Sequence, residues 1–294
     1  MFEGFTEFKI PVGNNVEIFG VRGGNGPPLL LLHGFPQTHH IWHLVAPQLT
    51  SSFTIIALDI RGYGASSKPA GSPDHHEYAK SVMAQDCIAT MKELGYDSFY
   101  ICAHDRGARI AHKLCVDYPA AAKKAIFLDI CPTLAMYSQT DFEFAKAYFH
   151  WFLLIQPAPF PETLISNNCK AFATQFMGGR RAGLEMFDQG ALGEYLKVLE
   201  EKDAVHAMCE DYRAGATIDM EEARRDIAAG RHVKCPLRVL WGRYGIIEKC
   251  FDALKEWKAV HDTGDVTGEN VDCGHYIPEE KPDVVVKHIK EFFA

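Results

Sequence analysis

The chain has 294 residues, 47% of them hydrophobic, enough apolar surface for one large core and at most one appended subdomain. Lys and Arg total 30 against 38 Asp and Glu, a formal charge of −8 with the basic residues scattered, which argues against nucleic acid or an anionic membrane as partner. No apolar stretch approaches the ~18 residues of a membrane span, and the start MFEGFTEFKI lacks the basic and then apolar layout of a signal peptide. The expected location is the cytoplasm. Nine cysteines at irregular spacings, without a Cys-x-x-Cys pair, read as buried thiols rather than a disulfide frame or a zinc site.

In chain order, FTEFKIPV and NVEIFGV alternate apolar and polar residues around a Gly-Asn-Asn turn, which predicts an antiparallel hairpin. PPLLLLHG, FTIIALDI, SFYICAHD, KKAIFLDI and CPLRVLWG follow as uniformly apolar runs of strand length. Such runs suit parallel strands covered on both faces. Helices are predicted over 40–49, 77–94, 106–118, 247–260 and 279–293. Strands and helices in alternation give an α/β class with a mostly parallel, doubly wound sheet. From Pro132 to His232 that rhythm stops, and aromatic-rich helical stretches such as DFEFAKAYFHWFLL follow one another without a buried strand. The expected organisation is a core of residues 1–131 and 233–294 with a helical cap of residues 132–232 inserted.

At Ala103-His104-Asp105-Arg106-Gly107 an apolar run turns into a helical pattern, the layout of a nucleophile elbow with a carboxylate in the nucleophile's place. Close to the start of a helix, backbone amides and the helix dipole keep such a carboxylate ionised. An aspartate there displaces a leaving group from an sp3 carbon and leaves an alkyl ester on the enzyme. Hydrolysis of that ester requires a base, which VDCGHYIPEE supplies as His275. The order, nucleophile early and histidine last, is that of the α/β-hydrolases. The usual position of the acid that orients the histidine, in WGRYGIIE, is Gly245. Asp129, ending KKAIFLDI, is the preferred acid, with Glu248 the alternative. The backbone amides of Phe35, in His-Gly-Phe-Pro, and of Arg106 would form an oxyanion hole.

The segments LLLLHGFPQ, DIRGYGASSKP, HDRGARIAH, LDICPT, HWFLLIQPAPFPE, CEDYRAGATID and CGHYIPEE together resemble the fluoroacetate dehalogenases within the α/β-hydrolases, over essentially the whole chain. The resemblance implies Asp105 as nucleophile, His275 as the base that activates water and Asp129 as its orienting acid. It implies that Arg106 and Arg109, on one helical face, hold the carboxylate of a haloacid, and that His150, Trp151 and Tyr212 donate hydrogen bonds to the departing halide. The resemblance implies no cofactor, a small-molecule haloacid as partner and a homodimer as the assembly. The expected activity is hydrolysis of short haloacetates, fluoroacetate to glycolate and fluoride. The alternatives are an enzyme active on chloroacetate alone, an epoxide hydrolase of the same fold using Tyr148 and Tyr212, and, behind these, a non-catalytic binding protein. His39 and His43 stand at a spacing that can bind zinc, but the glutamate of His-Glu-x-x-His is missing, and no metal site is expected.

Overall fold

The structure, a computed structural model, describes residues 1–179 and 183–294. Strands β1 (Thr6–Gly13) and β2 (Val16–Gly24) form the predicted hairpin. Its turn places Asn14 and Asn15 at positive φ, a conformation asparagine tolerates better than most residues. The chain continues through β3 (Pro28–Leu32), β4 (Thr54–Leu58), α1 (Lys80–Glu93), β5 (Phe99–His104), α2 (Arg106–Asp117) and β6 (Ala122–Leu128). Helices follow as α3 (Thr133–Ser138), α4 (Phe142–Ala147), α5 (Phe149–Leu154) and α6 (Phe160–Ser166). After them come α7 (Cys169–Gly178), α8 (Gln189–Glu200), α9 (Lys202–Ala216) and α10 (Ile218–Ala228). Among the described residues no strand interrupts α3–α10; residues 180–182, within the expected cap, lie outside the described residues. The chain ends with β7 (Leu237–Gly242), α11 (Ile246–Cys250), α12 (Ala253–Lys258), β8 (Val266–Val271), α13 (Ile277–Glu280) and α14 (Pro282–Phe293).

The sheet runs β1-β2-β4-β3-β5-β6-β7-β8; β2 is antiparallel to both neighbours and every pairing from β4 to β8 is parallel. The predicted doubly wound class holds. Its cause is visible in LLLL: Leu30 and Leu32 join a cluster with Met83 and Leu114 on one face, Leu29 and Leu31 a cluster with Trp42 and Ile289 on the other. Side chains alternate across a strand, so a strand covered on both faces is apolar throughout. Seven of the nine cysteines are buried.

The structure corrects several element boundaries. The predicted helix 40–49 is two 3-10 turns, His39–Trp42 and Ala46–Leu49, the first capped by Thr38 and the second opened by Pro47. The helix expected over 247–260 breaks at Phe251, where Asp252 caps the amide of Lys255 and starts α12. The last helix likewise divides before Pro282, which opens α14, since a proline is accommodated in a helix's first turn and not inside it. Strand β8, VTGENV, was not predicted. It is an edge strand with exposed and half-exposed positions, so burial imposed no apolar run, and Gly268 is required where its Cβ would stand 2.0 Å from the Val239 carbonyl.

Candidate active site

Asp105 follows the last residue of β5, and its amide donates to Leu128 O on β6 at 3.1 Å, so the sheet holds the corner up to the residue itself. Its backbone has φ 47° and ψ −114°, a strained conformation of the kind retained where surrounding structure over-determines it. Gly107 permits the following turn, because a Cβ there would lie 2.4 Å from His33 O. The Asp105 side chain is buried, and its Oδ1 accepts from the Phe35 amide at 3.2 Å. Burial alone would raise its carboxyl, but the neighbouring His275 and the charges of Arg106 and Arg109 outweigh burial and hold it below the usual carboxylate range. The group is an ionised carboxylate at neutral pH.

His275 lies in the loop between β8 and α13, and its Nε2 stands 3.9 Å from Asp105 Oδ2. Its Nδ1 is 2.5 Å from Asp129 Oδ2, while Asp129 Oδ1 accepts from the Gly242 amide at 2.8 Å. Asp129 ends β6 in the same way that Asp105 ends β5, with its amide donating to Leu240 O at 2.8 Å and φ 51°. Gly245, the usual place of the acid, sits beside it: a Cβ there would be 3.4 Å from Asp129 Oδ1. Glu248 points elsewhere; it is exposed and accepts from Trp241 Nε1 and from Asn270 Nδ2. Three carboxylate and imidazole side chains from three loops thus line up as Asp129, His275, Asp105. His104, beneath them, bonds through Nε2 to His275 O at 2.9 Å, and burial lowers its pKa to about 4.

Side chains of α5 and α9 pack against the Phe35 loop beside this arrangement. His150 and Trp151 on α5 and Tyr212 on α9 are buried. The ring of His150 stacks on Phe35 at 6.1 Å and meets Tyr212 edge-on at 5.8 Å. Trp151 is 6.5 Å from Tyr212, and its Nε1 donates to nothing among the described residues. A cavity of about 370 Å³ lined by Tyr148, Tyr244 and Gly245 reaches His275.

The two arginines differ more than their spacing suggested. Arg109 is buried, with Nη1 on Thr133 Oγ1 (2.5 Å), Nη2 on Met136 Sδ (3.2 Å) and its guanidinium 4.5 Å above Trp151. Its Nε has no partner and no carboxylate forms an ion pair with it among the described residues. Burial first, then the charge of Arg106, depress its pKa. Arg106, by contrast, spends Nε and Nη2 on Asp211 Oδ2 and Oδ1, both at 2.8 Å, and Nη2 also on Asp211 O. Asp211 is a partner of Arg106 that the sequence did not single out. It stands in the quoted segment CEDYRAG, but nothing local ties residue 211 to residue 106. Behind Arg109 lies a separate cavity of about 340 Å³, lined by Val116, Leu134 and Ile227, which the side chains of Asp105, Asp129 and His275 do not line. His39 bonds Asp59 through Nδ1 at 2.8 Å and His43 bonds the His40 carbonyl, so the two histidines at zinc-like spacing do not converge.

A family model described as the alpha/beta hydrolase fold matches residues 27–174. The candidate alpha/beta hydrolase ALR0039 of Nostoc sp PCC 7120 superposes with a TM-score of 0.96 at 45% identity, covering 100% of this chain and 99% of that one. The chain belongs to the α/β-hydrolase family. Within it, a fluoroacetate dehalogenase from Burkholderia sp is 40% identical over 100% of this chain and 95% of its own length. A soluble epoxide hydrolase from Corynebacterium sp. (strain C12) is 29% identical over 96% of this chain and 95% of its own length. The membership is therefore narrower than the fold: the chain is a hydrolase of the fluoroacetate dehalogenase family.

Proposed function

We propose that this enzyme hydrolyses short haloacetates, fluoroacetate to glycolate and fluoride, through an ester on Asp105. The observation that carries this reading is Arg109, a buried guanidinium beside the nucleophile with no carboxylate in ion-pair contact among the described residues. A buried cation with no carboxylate in direct contact is costly, and a substrate that brings a carboxylate to it offsets that cost.

In the first step an Asp105 oxygen attacks the α-carbon in line with the carbon–halogen bond, forming the ester as the halide departs. Arg109 and the remaining Nη1 of Arg106 hold the substrate carboxylate, so the α-carbon faces Asp105. His150, Trp151 and Tyr212 direct N–H and O–H donors at the leaving halide, replacing hydration that a buried fluoride would otherwise lack. In the second step His275, its Nδ1 side held by Asp129, takes a proton from water, and that water attacks Asp105 Cγ. The amides of Phe35 and Arg106 receive the oxyanion; collapse breaks the bond between Cγ and the ester oxygen, His275 gives its proton to that oxygen, and glycolate leaves with the Asp105 carboxylate restored.

The inserted helices, residues 132–232, act in this reading as a cap over the core of residues 1–131 and 233–294. Among the described residues no helix is long and apolar enough to cross a membrane, and the composition suits the cytoplasm. A homodimer is supported by Phe142, Phe149, Phe160 and Leu164, large apolar side chains left exposed on α4–α6. The test is halide release from fluoroacetate and chloroacetate side by side, with Asp105→Asn as blank. Asp105-dependent fluoride release is expected. Chloride without fluoride narrows the activity to chloroacetate, and neither halide, with turnover of an epoxide panel, overturns the proposal.

A further inference from the structure

The bond between Arg106 and Asp211 belongs to a longer chain of buried charges. Asp211 Oδ1 also meets Lys80 Nζ at 2.5 Å, and its Oδ2 accepts from Tyr63 OH at 2.9 Å. Lys80 in turn pairs with Asp219 Oδ2 at 3.2 Å, and the Lys80 amide donates to Asp219 Oδ1 at 2.8 Å. Arg106, Asp211, Lys80 and Asp219 are all buried. Two positive and two negative groups alternate along the chain, so the group is neutral as a whole. Lys80 and Arg106 come from α1 and α2, and the two aspartates from α9 and α10.

The guanidinium of Arg106 has little freedom left. Tyr212 covers it at 4.1 Å, and Gly215 lets the α9 backbone approach so closely that a Cβ would stand 3.3 Å from Nη2. One edge, Nε and Nη2, is taken by Asp211 in the two-pronged geometry that fixes an arginine's plane. Without that carboxylate the same edge becomes free to turn toward the neighbouring nucleophile, Asp105.

We propose that Asp211 is a positioning residue that holds Arg106 away from Asp105 and presents Nη1 alone to the ligand's carboxylate, with Lys80 and Asp219 balancing its charge. The two arginines then have different tasks. Arg109 supplies net positive charge to the ligand, and Arg106 supplies one fixed, directional donor already neutralised from behind. This rests on the haloacetate reading above.

The experiment uses the full-length enzyme and measures kcat and KM for chloroacetate by chloride release. Neutral chloroacetamide is the comparison, through its KM or, where it is not turned over, its inhibition constant. Asp211→Asn is expected to raise KM for chloroacetate about 10- to 100-fold, the loss of one hydrogen bond to a charged group. The chloroacetamide value is expected to move by less than about 3-fold, because an amide offers no charge for a fixed guanidinium to match. A merely structural role would move both ligands alike, and that result overturns the proposal, as does an unchanged KM for chloroacetate. Tyr63→Phe removes one hydrogen bond to Asp211 and leaves the charges in place, so it provides the test if Asp211→Asn does not fold. A several-fold rise confined to chloroacetate is expected, and no change for chloroacetate overturns the proposal. A wild type that releases no halide from any haloacetate is a separate outcome, which sinks the dehalogenase reading itself and this inference with it.

Discussion

Arg109→Met separates what the site needs for stability from what it needs for function. Methionine keeps an unbranched apolar stem of similar length and removes the charge. Three contacts disappear: the hydrogen bond to Thr133, the contact with Met136 Sδ and the stacking over Trp151 at 4.5 Å. The hydrogen bond to Thr133 involves a charged group and is worth about 1.5–3 kcal/mol. The stacking adds about 0.5–2 kcal/mol. Against them stands the desolvation of a guanidinium with no paired carboxylate among the described residues, which is several kcal/mol for a buried ion. The balance for the unliganded enzyme is stabilising or neutral, with an expected gain of about 0–2 kcal/mol, or up to several degrees in Tm. Catalysis moves the opposite way. Loss of two charge-assisted bonds to the substrate carboxylate removes about 3–6 kcal/mol from kcat/KM for chloroacetate, on the order of 100-fold to 10,000-fold. The assays are thermal denaturation without ligand and chloride-release kinetics on the same preparation. A variant that melts well below the wild type yet keeps its KM for chloroacetate would refute the reasoning, because Arg109 would then be part of the framework.

His275→Ala should still cleave the carbon–halogen bond once and then stop, with the protein gaining the mass of one carboxymethyl group on Asp105 by mass spectrometry; unmodified Asp105 after incubation with chloroacetate contradicts this. Asp129→Asn should keep the fold but lower kcat by about 10,000-fold, the scale seen when a buried orienting carboxylate is neutralised, and a loss under about 10-fold would show that His275 is oriented by something else. Glu279 carries a pH prediction. Burial pushes its carboxyl up to about 8, against the favourable bonds from Tyr195 and Gln37, and its Oε2 has no partner among the described residues. The unfolded chain ionises this group near its usual value of 4.5, so the native state binds the extra proton between there and about 8. Its contribution is complete below about pH 4.5 and declines by about 1.4 kcal/mol per pH unit up to about 8. Denaturant titrations of Glu279→Gln should show a shallower fall in stability over that window, and an identical slope would place the pH dependence elsewhere.

The parts of the fold legible in the sequence were those where burial imposes a pattern. Strands β3–β7 are covered on both faces and announce themselves as apolar runs, whereas β8 at the edge does not. That Asp105, His275 and the Phe35 loop come together was legible because each sits in a short segment with a recognisable local geometry. Helix interruptions at Pro47, Asp252 and Pro282 were equally local signals, and the predicted spans ran through them. Which carboxylate meets His275 was a matter of distance: Asp129 and Glu248 both follow strands, and only the folded chain puts one of them 2.5 Å from His275 and the other on the surface. The chain of charges through Lys80, Arg106, Asp211 and Asp219 was not legible at all. Its members come from four helices, and each on its own reads as an ordinary charge on a helix face.

The central claim, that Asp105 itself becomes esterified, is tested most directly by a single turnover in water enriched in oxygen-18 with enzyme in excess over chloroacetate. If water attacks the ester at Asp105 Cγ, the first glycolate carries an unlabelled hydroxyl oxygen taken from Asp105. The label is then found in the peptide containing Asp105. Label in the glycolate hydroxyl after one turnover, with Asp105 unlabelled, would mean that water attacks the α-carbon directly and that the carboxylate is a base.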